Sequence, residues 1–321
     1  IQKHVAIRFG AKEKLLEATE FKERYLRPKM RQLSSIIEAV HFKNAAIATP
    51  NVVGTPGTVP TSMLTYSQAK ARLDNYLAPT DNRTTLITSE ANYTLVDASK
   101  ALFNPTREIE RNYLKGEMGE ANESMWYVHQ SCPVLTNGTA TGFTVNGAGQ
   151  SGSTLNIGGL TAAQTITAGT KFTLPNVFRV HPLTGDPLGA TAADLQTFTV
   201  TANFTAAGTT GTISISPPIN SAFPNKTISA APANGAAATL VGAANASIRY
   251  NMMFQKDAFC IATAPLGVLA SCEGYTVTLP SGISVRVMTF GDGKNDLEDT
   301  RIDVLTGFAA VRPLHSCLIA Q

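Results

Sequence analysis

REIERNYLKGEMGEANESMWYVHQS, residues 107–131, changes its periodicity part-way along. The first part is charged and helical in pattern, and it stops at glycines. From Ser124 onward apolar and polar residues alternate, which is the two-residue period of a half-buried strand. Helical patterns dominate before this point and short strand patterns after it. The fold class read from this switch is α+β.

Upstream, AKEKLLEATEFKERYLRPKMRQLSSIIEAVHFKNA (11–45) is the clearest helical region. Leu15, Ala18, Lys22, Leu26, Met30, Leu33, Ile37 and Val40 step by three or four and form one mostly apolar stripe. Pro28 interrupts it, so the pattern predicts a long bent helix, or two helices meeting near Arg27. A helix of roughly 30 residues spans about 45 Å, long for a compact enzyme and natural for a structural spine. TPNVVGTPGTVPTS (49–62) reads as a Gly/Pro loop. SQAKARLDNYLA (67–78) reads as a short helix capped by Ser67, RTTLITS (83–89) as a strand, and ANYTLVDASKALF (91–103) as a helix ended by Asn104-Pro105.

Downstream, GFTVN, KFTLPNVFRV, LQTFTVTANF, GTISISPPI and ATLVGAA are divided by Gly, Pro and Asn-Gly turns. They predict an all-β module, a small barrel or sandwich, with hairpin turns at Asn146-Gly147 and Asn234-Gly235. This module is poor in charge. No Asp, Glu, Lys or Arg occurs from Ser124 to Thr170. Between Cys132 and Ile248 the charged residues are Lys171, Arg179, Asp186, Asp194 and Lys226. The C-terminal part returns to mixed structure.

The whole chain of 321 residues is 15% charged, against a typical value of about 25%, and its net charge is +3. That balance does not point to a nucleic-acid binder. Cys132, Cys260, Cys272 and Cys317 form no tight cluster and read as reduced thiols. No apolar run approaches the ~18 residues of a membrane span, and no signal peptide is visible. The opening IQKHVAIRF begins inside a strand pattern, so a preceding segment is expected.

No catalytic constellation stands out. GAGQSG (147–152) matches the dinucleotide pattern GxGxxG in letters only. SGSTLNIGG follows and does not start a helix, so a turn-rich hairpin is the reading. Asp292, Asn295, Asp296, Glu298 and Asp299 are rich in oxygen but lack calcium-loop spacing, and read as a solvated hairpin. His129-x-x-Cys132 and His315-x-Cys317 lie too far apart in sequence to announce a zinc site. Neither an enzyme nor a cofactor or metal site is expected.

Several stretches together carry a resemblance. They are ERYLRPKM (23–30), PNVVGTPGT (50–58), LFNPTREIERNYLKGEMGEANESMWYVHQSCPVLTNGT (102–139), KFTLPNVFRVHPLTG (171–185), LQTFTVTA (195–202), ISISPPI (213–219), NMMFQKDAFCIATAPL (251–266) and ISVRVMTFGDGKNDLEDTRIDVLTGFAAVRP (283–313). In this order they resemble the major coat proteins of short-tailed, lambdoid-type phages, which have the tailed-phage and herpesvirus capsid fold with an inserted β-domain.

The resemblance implies an extended-loop end and spine helix over 1–46, an axial domain over 47–123, an inserted β-rich domain over 124–247, and the rest of the axial and peripheral domains over 248–321. It implies self-assembly into hexamers and pentamers of an icosahedral shell around double-stranded DNA. The expected partners are further copies of the chain, a scaffolding protein, a portal protein and weakly held DNA, with no membrane. The expected location is the virion, after synthesis in the host bacterial cytoplasm. Inter-subunit contacts are expected at Glu23, Arg24, Arg27, Arg31, Arg107, Glu110, Arg111, Asp296, Asp299 and Arg301, because Arg suits bidentate interface pairs. The competing reading is a secreted or surface β-rich binding module, which the uncharged Thr/Gly stretch permits.

Overall fold

The computed structural model describes residues 1–10, 27–99, 119–279, 282–292, 295 and 297–321. Its elements run β1 (Gln2–Gly10), α1 (Arg27–Ala48), β2 (Val52–Gly54), α2 (Met63–Asn75), β3 (Arg83–Ile87), α3 (Ser89–Ser99), β4 (Glu120–Ala121), β5 (Ser124–Val128) and β6 (Val134–Thr136). Then come β7 (Thr144–Val145), β8 (Gly152–Gly158), β9 (Thr165–Ile166), β10 (Lys171–Phe178), β11 (Leu195–Val200), β12 (Phe204–Thr205), β13 (Thr210–Ile219) and β14 (Thr239–Leu240). The last are β15 (Ser247–Gln255), β16 (Phe259–Ala264), β17 (Glu273–Thr278), β18 (Ser284–Asp292), β19 (Leu297–Ala310) and β20 (Ser316–Ala320). The class is α+β. The helix expected from 107 onward lies outside the described residues except at its end, where Glu120 and Ala121 are strand.

The chain forms two compact units, Ile1–His41 with Phe259–Ala309, and Phe42–Ala258 with Ala310–Gln321. In the first, an antiparallel sheet runs β1–β19–β18–β17, and β16 also pairs β19. The register sets Val285 opposite Val304, and Val287 and Val5 opposite Ile302. These residues share one face because side chains alternate along a strand. Leu33 and Ile37, one turn apart on α1, pack on that face. The predicted stripe is therefore used where it is described, although Met30 at its start is exposed.

In the second unit, a mixed sheet runs β2–β20–β15–β3–β5–β4. All five residues of β20 are buried, as expected for a strand covered on both faces. Helix α2 buries Tyr66, Ala69 and Leu73 against this sheet. Ser67 is not a cap. It sits inside α2 and donates to the Met63 carbonyl 3.0 Å away, while Ser62 holds the cap position with extended backbone. The helix starts earlier than its polar signal because Met63 supports the apolar core.

The predicted β-module is also in the second unit. Its larger sheet runs β14–β10–β11–β13–β8–β7, and β9 pairs β12. Phe143, Leu155, Ile157, Phe172, Phe198, Ile213 and Ile215 are among its core residues. Phe172 meets Phe143 edge-on at 5.1 Å and lies over Phe198 at 5.5 Å. The two Asn-Gly turns touch: the Gly147 N–H donates to Asn234 Oδ1 at 2.7 Å. Within GAGQSG, the Gln150 amide donates to the carbonyls of Asn146, Gly147 and Asn156 and accepts from the Asn156 N–H. One glutamine thus fills the loop, which is a turn between β7 and β8.

This sheet meets the end of α1 through Lys171, the first residue of β10. Its side chain is fully buried. Nζ donates to the Ala46 carbonyl at 2.8 Å, to the Ile47 and Thr49 carbonyls, and to Thr199 Oγ1 at 2.8 Å. The last carbonyls of a helix have no intrahelical donor and carry its negative dipole end, so a cation belongs there. Burial pulls the Lys171 pKa well down, and the four oxygens oppose that pull. An ammonium supplies three hydrogens to them, a neutral amine only two. Gly169 lets the chain reach this point. Its φ is +94°, and a Cβ there would lie 2.8 Å from Leu135 and 3.2 Å from Ile47. Lys171→Met keeps the bulk and removes every donor. It is expected to cost about 3 kcal/mol in a urea titration, because buried carbonyls lose their partner.

Candidate assembly surfaces

Four of the ten residues expected at subunit contacts are described. Arg27 and Arg31 are exposed on the first turns of α1, four residues apart and so on one helix face. Asp299 lies opposite Arg8 in the β1–β19 register. Arg8 Nε and Nη2 donate to its two carboxylate oxygens, each at 2.9 Å. That hydrogen bond holds the Asp299 carboxyl below its ordinary pKa. Arg8 is largely exposed, so the pair fixes geometry more than stability. Glu23, Arg24, Arg107, Glu110, Arg111 and Asp296 lie outside the described residues.

Arg301 is engaged inside its own unit. Its Nε donates to Asp303 Oδ1 at 2.8 Å. From β18, Arg286 Nη2 and Nε donate to Asp303 Oδ2 at 2.7 and 3.2 Å. Arg286 also donates to the Gly267 carbonyl at 2.6 Å. Asp303 is fully buried. Reading by residue type missed Arg286 and Asp303. The signal was present in SVRV and RIDV, where charged residues alternate with apolar ones on two adjacent strands.

The sheet ends at β17. Among the described residues β17 pairs with β18 alone. Its Tyr275 is 61% exposed and Val277 is 44% exposed. They stand opposite Val287 and Val285, so the apolar face continues outward beyond the part that packs on α1. An end strand also presents unpaired backbone donors and acceptors, which invite another chain.

Two of the remaining candidate groups make local hydrogen bonds. Asn295 Nδ2 donates to Asp292 Oδ2 at 2.6 Å and closes the turn between β18 and β19. His129 Nδ1 accepts from the Ser131 N–H at 3.1 Å. Burial pushes the Cys132 thiol up to about 11 and the Cys317 thiol up to about 12, so both remain protonated at neutral pH. Among the described residues no group of three or more His, Cys, Asp or Glu is placed to hold a metal. No helix among them is long and apolar enough to cross a membrane.

Asp303 yields a prediction with a definite sign. Burial raises its pKa, but the hydrogen bonds from Arg286 and Arg301 outweigh that, and the net pKa lies below the ordinary 3.8. A depressed carboxyl pKa stabilises the fold above the unfolded-state value, and the contribution is lost as pH falls through the folded-state value. Asp303→Asn is therefore expected to destabilise by about 3–5 kcal/mol at pH 7. The gap from wild type should shrink as chemical unfolding is repeated below the ordinary carboxyl value.

A family model described as P22 coat protein, gene protein 5, matches residues 1–316. No curated protein matches the chain by sequence. Among solved structures, the chain is similar to one from Mycobacterium phage Che8 at 9% identity, with TM-score 0.47, over 99% of this chain and 70% of that one. It is similar to the mature capsid of bacteriophage PhiM1 at 10% identity, with TM-score 0.45, over 99% and 70%. It is also similar to a structure from Gordonia phage Cozz at 10% identity, with TM-score 0.44, over 99% and 69%. The assignment rests on the family match, which runs through both compact units and almost the whole chain. The chain belongs to the P22 coat protein family: it is a phage major capsid protein, a structural subunit and not an enzyme, whose copies form the shell of the virion.

Proposed function

We propose that the subunit builds an icosahedral shell of hexamers and pentamers around double-stranded DNA, and that it acts through interface geometry. In this reading α1 is part of the spine helix. Residues 1–46 belong to the extended loop and peripheral domain, 47–123 to the axial domain, 124–247 to an inserted β-domain, and 248–321 to the remainder of the axial and peripheral domains. A scaffolding protein directs assembly in the host cytoplasm, a portal protein occupies one vertex, and basic residues meet the DNA weakly. The observation that carries the reading is the family match over residues 1–316.

The contact residues follow from exposure. Arg27, Arg31 and the Arg8–Asp299 pair supply polar contacts. The β17 edge with Tyr275 and Val277 receives a second copy of this chain, because a family built from copies of itself supplies that occupant in every particle. The Thr, Ser and Asn surface of the β-domain suits crowding. Its short side chains order at lower entropy cost than Lys or Glu, and they do not repel neighbouring copies.

The test is expression of the full-length gene product with its scaffolding protein, followed by sedimentation velocity and negative-stain imaging. Closed particles are expected. Monomers alone, with no shells, tubes or capsomers, would overturn the reading in favour of a β-rich binding module. Arg31→Glu should lower particle yield by about tenfold or more through unfavourable charge placement at an interface. The circular dichroism of the unassembled subunit should stay unchanged.

A further inference from the structure

Arg72 of α2 and Arg179, just after β10, converge where the β-module meets α2. Arg72 Nη2 donates to the Ala193 carbonyl at 2.7 Å, and Arg179 Nη2 donates to the same oxygen at 3.3 Å. A carboxylate pairs with Arg179 alone: Arg179 Nη2 lies 3.1 Å from Asp194 Oδ1. Thr191 Oγ1 also donates to that carboxylate, at 2.7 Å. The Tyr76 hydroxyl donates to Gln196 Oε1 at 2.9 Å and so carries no charge of its own. Burial pushes the Cys317 thiol up to about 12, which keeps it neutral too.

The arrangement is short of acceptors and of negative charge. Arg179 is 4% exposed. Its Nε and Nη1, and Nη1 of Arg72, are buried without a hydrogen-bond partner. Two guanidiniums against one carboxylate leave one positive charge uncompensated. Each buried donor left unmet is expensive. Water satisfies donors and leaves the charge. A monovalent anion satisfies both.

We infer that Arg72 and Arg179 bind a small inorganic anion of halide size at this junction. The anion completes the hydrogen bonding of the two guanidiniums and joins α2 to the loop that carries Ala193 and Asp194. The site is independent of the subunit contacts proposed above.

The experiment is thermal unfolding of the unassembled full-length subunit at fixed ionic strength, with chloride replaced stepwise by gluconate, a bulky anion. Wild type is expected to lose about 3 °C or more in midpoint, because a ligand of the folded state stabilises it by mass action. Arg72→Gln should unfold at the same midpoint in both anions, and its chloride NMR line should lose the broadening that wild type shows. Arg72 is only half-buried, so this variant is expected to fold. Equal midpoints for wild type in chloride and gluconate would overturn the proposal and leave water on the donors. So would a chloride effect, or chloride line broadening, that survives in Arg72→Gln.

Discussion

An ammonium group leaves water only if oxygen replaces the water on every hydrogen it carries. Lys171 meets that condition by reaching the bare carbonyl end of a helix. The constraint works in both directions. The helix end needs a donor once it is buried, and the lysine needs acceptors once it begins an interior strand. Thr199 on the neighbouring strand completes the arrangement, accepting from Lys171 and donating to the Ile47 carbonyl at 2.9 Å. The β-module, the end of α1 and the loop after it are thereby fixed on one another within the second unit.

The same junction explains where the β-module keeps its few charges. Lys171, Arg179 and Asp194 all face its attachment to α1 or α2, and Asp186 is exposed. Elsewhere the module is tied together by short polar side chains. Thr212 bonds Asn156 at 2.7 Å, and Thr136 bonds Ser247 at 2.8 Å. Such pairs do the work that surface ion pairs do in other proteins, with less rotamer entropy to lose. A segment without charge is therefore compatible with a well-determined fold.

The strands were legible because period two and turn dipeptides are local. SMWYV, KFTLPNVF and TGTISISPPI lie in strands much as their alternation requires. The start of α2 was misplaced because a cap is a weak signal and Met63 is drawn inward by a core that the local sequence does not display. The pairs that matter most were not legible at all. Lys171 stands out in the sequence as a charge in a charge-poor segment, but nothing near it names a helix end 125 residues earlier. Arg301 meets Asp303 two residues along the same strand, whereas the pairing of Arg286 with Asp303 depends on how β18 and β19 are set against each other. Arg27 and Arg31 were legible as an exposed pair because helix periodicity alone places them on one face.

The Lys171 clasp also orders events in time. A contact that spans so many residues forms only after the intervening chain has been made and closed into its loop, which is the slow kind of contact in folding. As the chain leaves the ribosome, the end of α1 stays without its lysine donor until β10 and β11 have emerged and paired. The end of α1 thus acquires its last donor only once β10 and β11 are in place.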